Sequence, residues 1–287
     1  MATRNVLAVD IGGTKLAAAI VAADGRVLWR STMPTPKTTD PERLFGTLAS
    51  LVDQLQNAAR DRADVCGVGC GGPMRDGNRL VSPVNIPAWR DFPLRERLAA
   101  LTGLPTWVEN DAKALALGEG WLGAAAGERN YLAMVVSTGV GGGIVLDGRL
   151  LHGADGNAGH IGHVIVVPDG RQCGCGAYGC TEAEASGTAI AAITGRPPEE
   201  AEAGMVIRTG TLIGRAVATV ANLLDLPLAV VSGSVALGYG APFFAAAQAE
   251  IDARCRLDYS RGTRIVPGGL GATGPLVGAA RVALLAG

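Results

Sequence analysis

The sequence predicts an α/β fold of two duplicated lobes with a cleft between them, on three observations. At 287 residues the chain suits two fused α/β lobes, each large enough to bury its own core. Its 42 glycines follow no collagen period, so they mark many tight turns rather than disorder. A supersecondary pattern also occurs twice. Residues Val6 to Leu28 read as a strand (VLAVD), a glycine turn (IGGTK), a strand (LAAAIV) and an Asp-Gly-Arg turn into a third strand. Tyr131 to Leu151 repeat it as YLAMVV, STGVGG, GIVL and a second Asp-Gly-Arg turn before a third strand.

The elements between the copies follow in order. A helix is predicted from about Pro41 to Arg62, then a strand and glycine turn at VCGVGCGG, a loop rich in Pro and Asn, and a helix near Pro93 to Leu101. A short strand, PTWVEN, runs into the helical stretch DAKALALGEGWLG. Beyond a cysteine cluster the chain reads as mainly helical, with an apolar strand at LAVVSG and a last helix near Pro275 to Leu285. No Ser/Gly linker separates the lobes, so the boundary is expected at a strand-to-helix junction near Asp111. The first lobe is then 1–111, joined by a C-terminal helix (275–287) packing back on it, and the second is 112–274.

Composition excludes several classes of function. Lys plus Arg number 25 against 26 Asp plus Glu, which leaves no positive field to hold a nucleic acid. The N-terminal MATRNVLAVDIGG lacks the long apolar run of a signal peptide, and no stretch is long enough to span a bilayer. Of six cysteines, Cys173, Cys175 and Cys180 crowd together, while Cys66, Cys70 and Cys255 lie among apolar neighbours and read as small buried residues. A cytoplasmic chain with one metal-type cluster fits better than an oxidised secreted framework.

Asp10, Gly12, Gly13, Thr14 and Lys15 form DIGGTK directly after the first strand. Glycines there let backbone N–H groups approach phosphate oxygens, and Asp10 could hold Mg²⁺ or its water shell. The two glycines alone read more readily as an ordinary β-hairpin turn, and it is the acid before them and the Thr-Lys after them that turn the reading toward phosphate. The motif is neither Walker A nor the dinucleotide GxGxxG. Ser137, Thr138, Gly139 and Gly141 to Gly143 repeat the arrangement, so two turns could hold a polyphosphate from both sides. A third glycine turn at VSGSVALG, containing Gly233, could floor an adenine site or simply join a strand to a helix.

Asn110 and Asp111 end a predicted strand, where Asp111 could accept a proton from a substrate hydroxyl; the pair also reads as a helix N-cap. Asn85, between two prolines, is a candidate ligand for hydroxyl groups that reads alternatively as a turn Asn, and Glu182, just past the cysteines, reads by itself as a solvated helix-start acid. His163, Cys173, Cys175 and Cys180 supply the donor set of a tetrahedral Cys₃His zinc site. Four protein ligands leave no open position, so the zinc role expected is structural.

Taken in order and spacing, DIGGTK, VENDA, STGVGGGI, GNAGHIGH, CGCGAYGC and VSGSVA are similar to the ROK family of repressors, uncharacterised frames and kinases, across essentially the whole chain. The resemblance implies an actin-like, ribonuclease-H-like fold and an ATP-dependent sugar kinase. It implies that Gly12, Thr14, Thr138, Gly139 and Gly233 line the ATP site, that Asp111 is the catalytic base, and that Asn85, Asn110, Asp111, His160, His163 and Glu182 surround a hexose. It also implies the same zinc module and a homodimer. ATP, Mg²⁺ and structural Zn²⁺ are the cofactors expected, with polyphosphate a conceivable donor. Family glucokinases usually have Glu where this chain has His160. A carboxylate only accepts hydrogen bonds, whereas a neutral imidazole donates one and accepts one. The form AGHIGH resembles the family's bacterial N-acetylmannosamine kinases, so N-acetylmannosamine is expected first and glucose second. Sugar-responsive repressors of the family carry a helix-turn-helix ahead of DIGGTK, for which the nine preceding residues leave no room. A non-catalytic sugar sensor is the remaining alternative.

Overall fold

The structure, a computed structural model, describes residues 4–286. Two compact units emerge from it. The first comprises the chain up to Gly123, the short segment His152–Ala158 and the stretch from Leu270 on; the second comprises Ala124–Leu151 and Gly159–Gly269.

In the first unit, β1 (Val6–Ile11), β2 (Lys15–Val21) and β3 (Val27–Pro34) form an antiparallel meander. β4 (Val65–Cys70) and β7 (Thr106–Asn110) then extend the sheet in parallel, giving the order β3-β2-β1-β4-β7. Two short strands, β5 (Met74–Arg75) and β6 (Leu80–Val81), pair separately. Because side chains alternate across a strand, β1 sends Leu7, Val9 and Ile11 to one face and Val6 and Ala8 to the other. The first face is covered by α1 (Pro41–Ala58), whose buried Leu44, Leu48, Leu51 and Leu55 recur at helical spacing. Asp40 caps α1 by accepting from the N–H groups of Glu42 and Arg43, and Pro41 opens its first turn. α2 (Leu94–Thr102) packs Leu94 and Leu98 into the same core. The other face is covered by the chain's last helix, α8 (Gly274–Ala286), through Leu276, Ala279, Ala280 and Ala283. α8 also lies along α3 (Asp111–Leu122) at a distance only glycine allows, since a Cβ on Gly278 would overlap the Ala114 carbonyl.

The second unit repeats this topology. β8 (Tyr131–Val136), β9 (Val140–Leu146) and β10 (Arg149–Leu150) are antiparallel neighbours, and β11 (Leu228–Ser232) and β12 (Arg264–Pro267) add in parallel, in the order β10-β9-β8-β11-β12. Two short helices, α4 (Thr181–Ala185) and α5 (Gly187–Thr194), precede two long ones, α6 (Ala203–Leu224) and α7 (Ser234–Arg254). Ile213, Val217, Phe243, Ala247 and Ile251 from the long pair share one core with Leu132, Met134 and Val231 of the sheet. α7 is kinked at Gly240, two residues before Pro242. Among the described residues no helix is long and apolar enough to cross a membrane.

Candidate active site

In the first unit the β1–β2 turn is a short exposed loop. The Gly12 N–H donates to the Lys15 carbonyl (3.0 Å), while Thr35 donates its hydroxyl to Gly12 O (2.7 Å) and its N–H to Thr14 O (3.0 Å). Gly13, Thr14 and Lys15 face outward. Asn85 lies against this turn, since a Cβ on Gly13 would sit 3.0 Å from that of Asn85.

The parallel register of β1, β4 and β7 places Asp10 opposite Gly69 and Gly69 opposite Glu109, one residue before the Asn110–Asp111 junction. The missing side chain of Gly69 leaves Asp10 and Asp111 flanking one space: a Cβ there would lie 3.6 Å from Asp111 Cα and 3.8 Å from Asp10 Oδ1. Burial, then the charge of Asp111, pushes the Asp10 carboxyl up to about 7, with Lys15 and Arg30 pulling it partly back. Burial likewise raises Asp111, and the Ala112 N–H, which donates to Asp111 Oδ1 at 2.8 Å, opposes the rise. The helix cap that the sequence left open on this dipeptide falls on its first residue. Asn110 supplies the helix cap, its Oδ1 accepting from the N–H groups of Ala112 (3.1 Å) and Lys113 (3.3 Å). Asp111 is then the first helical residue, where the helix dipole favours its ionised form.

In the second unit the turn after β8 is closed by a Ser137 N–H to Gly139 O bond of 2.9 Å. Gly187 donates its N–H to Ser137 O (2.7 Å), and Thr188 donates both N–H and hydroxyl to Thr138 O (3.2 and 2.9 Å). The start of α5 therefore backs the turn. The hydroxyls of Ser137 and Ser234 are 3.0 Å apart, which brings the start of α7 to the same place. Gly233, at φ +103°, sits so close to β8 that a Cβ would collide with Val136 O. Thr138, Gly139 and Gly233 are thus gathered at the start of α7, a helix N-terminus of the kind that suits phosphate oxygens, while the first N–H groups of α5 are spent on holding the turn.

Glu182 accepts the Val140 N–H at 3.1 Å, tying the start of α4 to that turn. The rings of half-buried His160 and exposed His163 lie 6.1 Å apart, inclined by 28°. The donor atoms of His163, Cys173, Cys175 and Cys180 all lie within 4.8 Å of one another. His163 Nδ1 is 3.8 Å from Cys173 Sγ, and Cys175 and Cys180 sulfurs are 3.7 Å apart. Tetrahedral zinc with Zn–S bonds of about 2.3 Å needs donors separated by roughly 3.8 Å, so this set fits the ion. Because Nδ1 faces the sulfurs, Nε2 is the His163 nitrogen left for another partner. All six cysteines are free thiols, and Cys66, Cys70 and Cys255 are buried.

Sequence reasoning missed Lys113, Glu109 and His152. Lys113 and Glu109 are buried just behind Asp111, their charged atoms 3.5 Å apart, and His152 Nδ1 is 3.6 Å from the other Glu109 oxygen. The i, i+4 spacing of acid and lysine in ENDAK was the available signal, obscured because it straddles a strand end and a helix start.

The ROK family profile matches residues 6–285. The chain belongs to the ROK family. An N-acetylmannosamine kinase of Escherichia fergusonii is 41% identical over 253 residues, covering 82% of this chain and 85% of that protein. Among solved structures, the ROK hexokinase of Thermus thermophilus is 34% identical with a TM-score of 0.84, covering 98% of both chains. A Streptomyces griseus ROK family glucokinase, solved with glucose and AMPPNP, is 29% identical with a TM-score of 0.86, covering 98% of this chain and 99% of that one. The duplicated sheets are accordingly those of the actin-like fold of ROK sugar kinases.

Proposed function

We propose that this ROK chain is a sugar kinase that transfers the γ-phosphoryl group of MgATP to the 6-hydroxyl of N-acetylmannosamine, with Asp111 as general base. The observation that carries the reading is the Asp10–Asp111 pair flanking Gly69 beside a glycine turn. A carboxylate at the start of a helix, raised by burial yet kept ionisable by a backbone N–H, is suited to take a hydroxyl proton as the oxygen attacks phosphorus. Asp10 would hold Mg²⁺ or its water shell, and a cation there would relieve the repulsion between the two acids. Gly12, Gly13, Thr14 and Lys15 are proposed phosphate contacts, as are Thr138 and Gly139, and Gly233 is a proposed adenosine contact. The proton ends on Asp111, the phosphoryl group on the sugar oxygen, and ADP leaves.

Asn85, Asn110, His160, His163 and Glu182 are the proposed sugar ligands. Since Asn110 Oδ1 is occupied by the helix cap, its amide NH₂ is the part that would meet a hydroxyl. Zinc held by His163 and the three cysteines would fix the loop between His160 and Glu182, contributing rigidity rather than Lewis acidity. The 41% identity to N-acetylmannosamine kinases and the imidazole of His160, which can donate to an acetamido carbonyl, both support that substrate. The likeness to the Streptomyces glucokinase favours glucose as the second reading. A homodimer in the cytoplasm completes the proposal.

A coupled ADP-release assay with glucose, mannose, N-acetylmannosamine and N-acetylglucosamine, run on the wild type and His160→Glu, tests the substrate. Wild-type preference for N-acetylmannosamine that shifts toward glucose in the variant is expected. An unchanged preference would remove His160 from the specificity argument, and turnover of glucose alone would select the second reading.

A further inference from the structure

The reaction as proposed does not use the buried cation behind Asp111. Lys113 is 1% and Glu109 4% exposed. A buried ammonium is costly unless paired, and an apolar side chain would fill the same space at less cost. Burial pulls the Lys113 amine down and Glu109 pulls it back up. Its Nζ is 3.5 Å from Glu109 Oε1 and donates to the Gly156 carbonyl at 2.6 Å. The same Glu109 oxygen accepts the Asn110 N–H at 2.8 Å, and Glu109 Oε2 lies 3.6 Å from His152 Nδ1. One ion pair therefore touches the backbone next to Asp111 and two residues, His152 and Gly156, of a segment about forty residues away.

That segment, 152–158, is fastened to the same unit at other points as well. The Asn157 amide accepts from Met74 N–H and donates to Met74 O, each at 3.1 Å. Gly156 packs on Asn78, whose amide donates to the Val108 carbonyl of β7 at 3.2 Å. Ala158 N–H closes the segment onto His152 O at 2.9 Å. The ties through Asn157 and Asn78 lead to β5 and β7, whereas the Lys113 tie springs from the first turn of α3, the turn that carries Asp111.

We infer that Lys113 is a positioning residue for phosphoryl transfer, holding the first turn of α3 between Glu109 and the Gly156 carbonyl so that Asp111 stays aimed at the substrate hydroxyl. The inference rests on the reading of Asp111 as base. Lys113→Met, Asp111→Asn and the double variant would be compared for kcat and for KM of MgATP and of the sugar that the panel selects. In the wild-type background Lys113→Met should lower kcat about 10-fold or more with KM for MgATP held, because a misplaced base loses rate rather than nucleotide affinity. In the Asp111→Asn background the same change should add little, since there is no base left to aim.

Equal fold-losses in both backgrounds, or wild-type kcat in Lys113→Met, would overturn the inference. Near-normal turnover in Asp111→Asn alone would instead overturn the base reading on which it rests. Because Lys113→Met leaves Glu109 unpaired, the charge-free pair Glu109→Gln with Lys113→Met serves as a second variant, read by hydrogen exchange. Faster exchange confined to residues 109–115 and 152–158 is expected in that variant; unchanged exchange there would also overturn the inference.

Discussion

Asp10 carries the least ordinary carboxyl of the site. Its group titrates near 3.8 when free and at about 7 in the fold. A raised carboxylate binds its proton more tightly when folded, so this residue's contribution to stability is fully present below about pH 4. It is lost as pH rises through about 7. In metal-free buffer the melting temperature of the wild type should therefore fall between pH 4 and pH 8 relative to Asp10→Asn, by an amount on the order of several degrees. Mg²⁺ should recover part of the loss in the wild type only. Parallel pH profiles for the two proteins would show that Asp10 is not held buried beside the charge of Asp111. From sequence, Asp10 was identifiable as an acid before a glycine turn, but its partner was not. Only the parallel register of β1, β4 and β7 brings Asp111 across Gly69. Which of Asn110 and Asp111 caps α3 was equally hidden, because either side chain can cap a helix.

The cysteine cluster and the glycine turns were the elements whose geometry was most legible in the sequence, since short, local spacings set it. Cys173, Cys175 and Cys180 sit close in the chain and close in space, joined by His163. Purified protein should therefore contain about one zinc per chain. Removing it by chelation, or weakening it by Cys175→Ser, should raise the KM for sugar on the order of 10-fold or more while leaving the far-UV spectrum largely intact. Full sugar affinity in protein verified to be zinc-free would refute the structural role. The antiparallel meander β1–β3 was legible with its copy β8–β10, because hairpins announce themselves through Asp-Gly turns. That β4 and β7 match β11 and β12 was not. Parallel strands buried on both faces read as short apolar runs, and nothing local says which strand they join.

At the scale of the whole molecule, contacts between distant parts of the chain decide the outcome. α8 returns to the first sheet because small residues, Ala279, Ala280 and Ala283, meet the face of β1 that carries Val6 and Ala8, with Gly278 admitting α3 alongside. The segment 152–158 joins the same unit through Lys113 and Asn157, a placement no reading of chain order could supply. In the function proposed, the chemistry rests on a single proton transfer to Asp111. Replacing Asp111 by Asn keeps the size of the side chain and removes its basicity. Steady-state turnover with MgATP and N-acetylmannosamine, measured in wild type and Asp111→Asn, should show kcat lowered about 10²–10⁴-fold with sugar KM little changed. Turnover within a few-fold of wild type would contradict the assignment of Asp111 as the base.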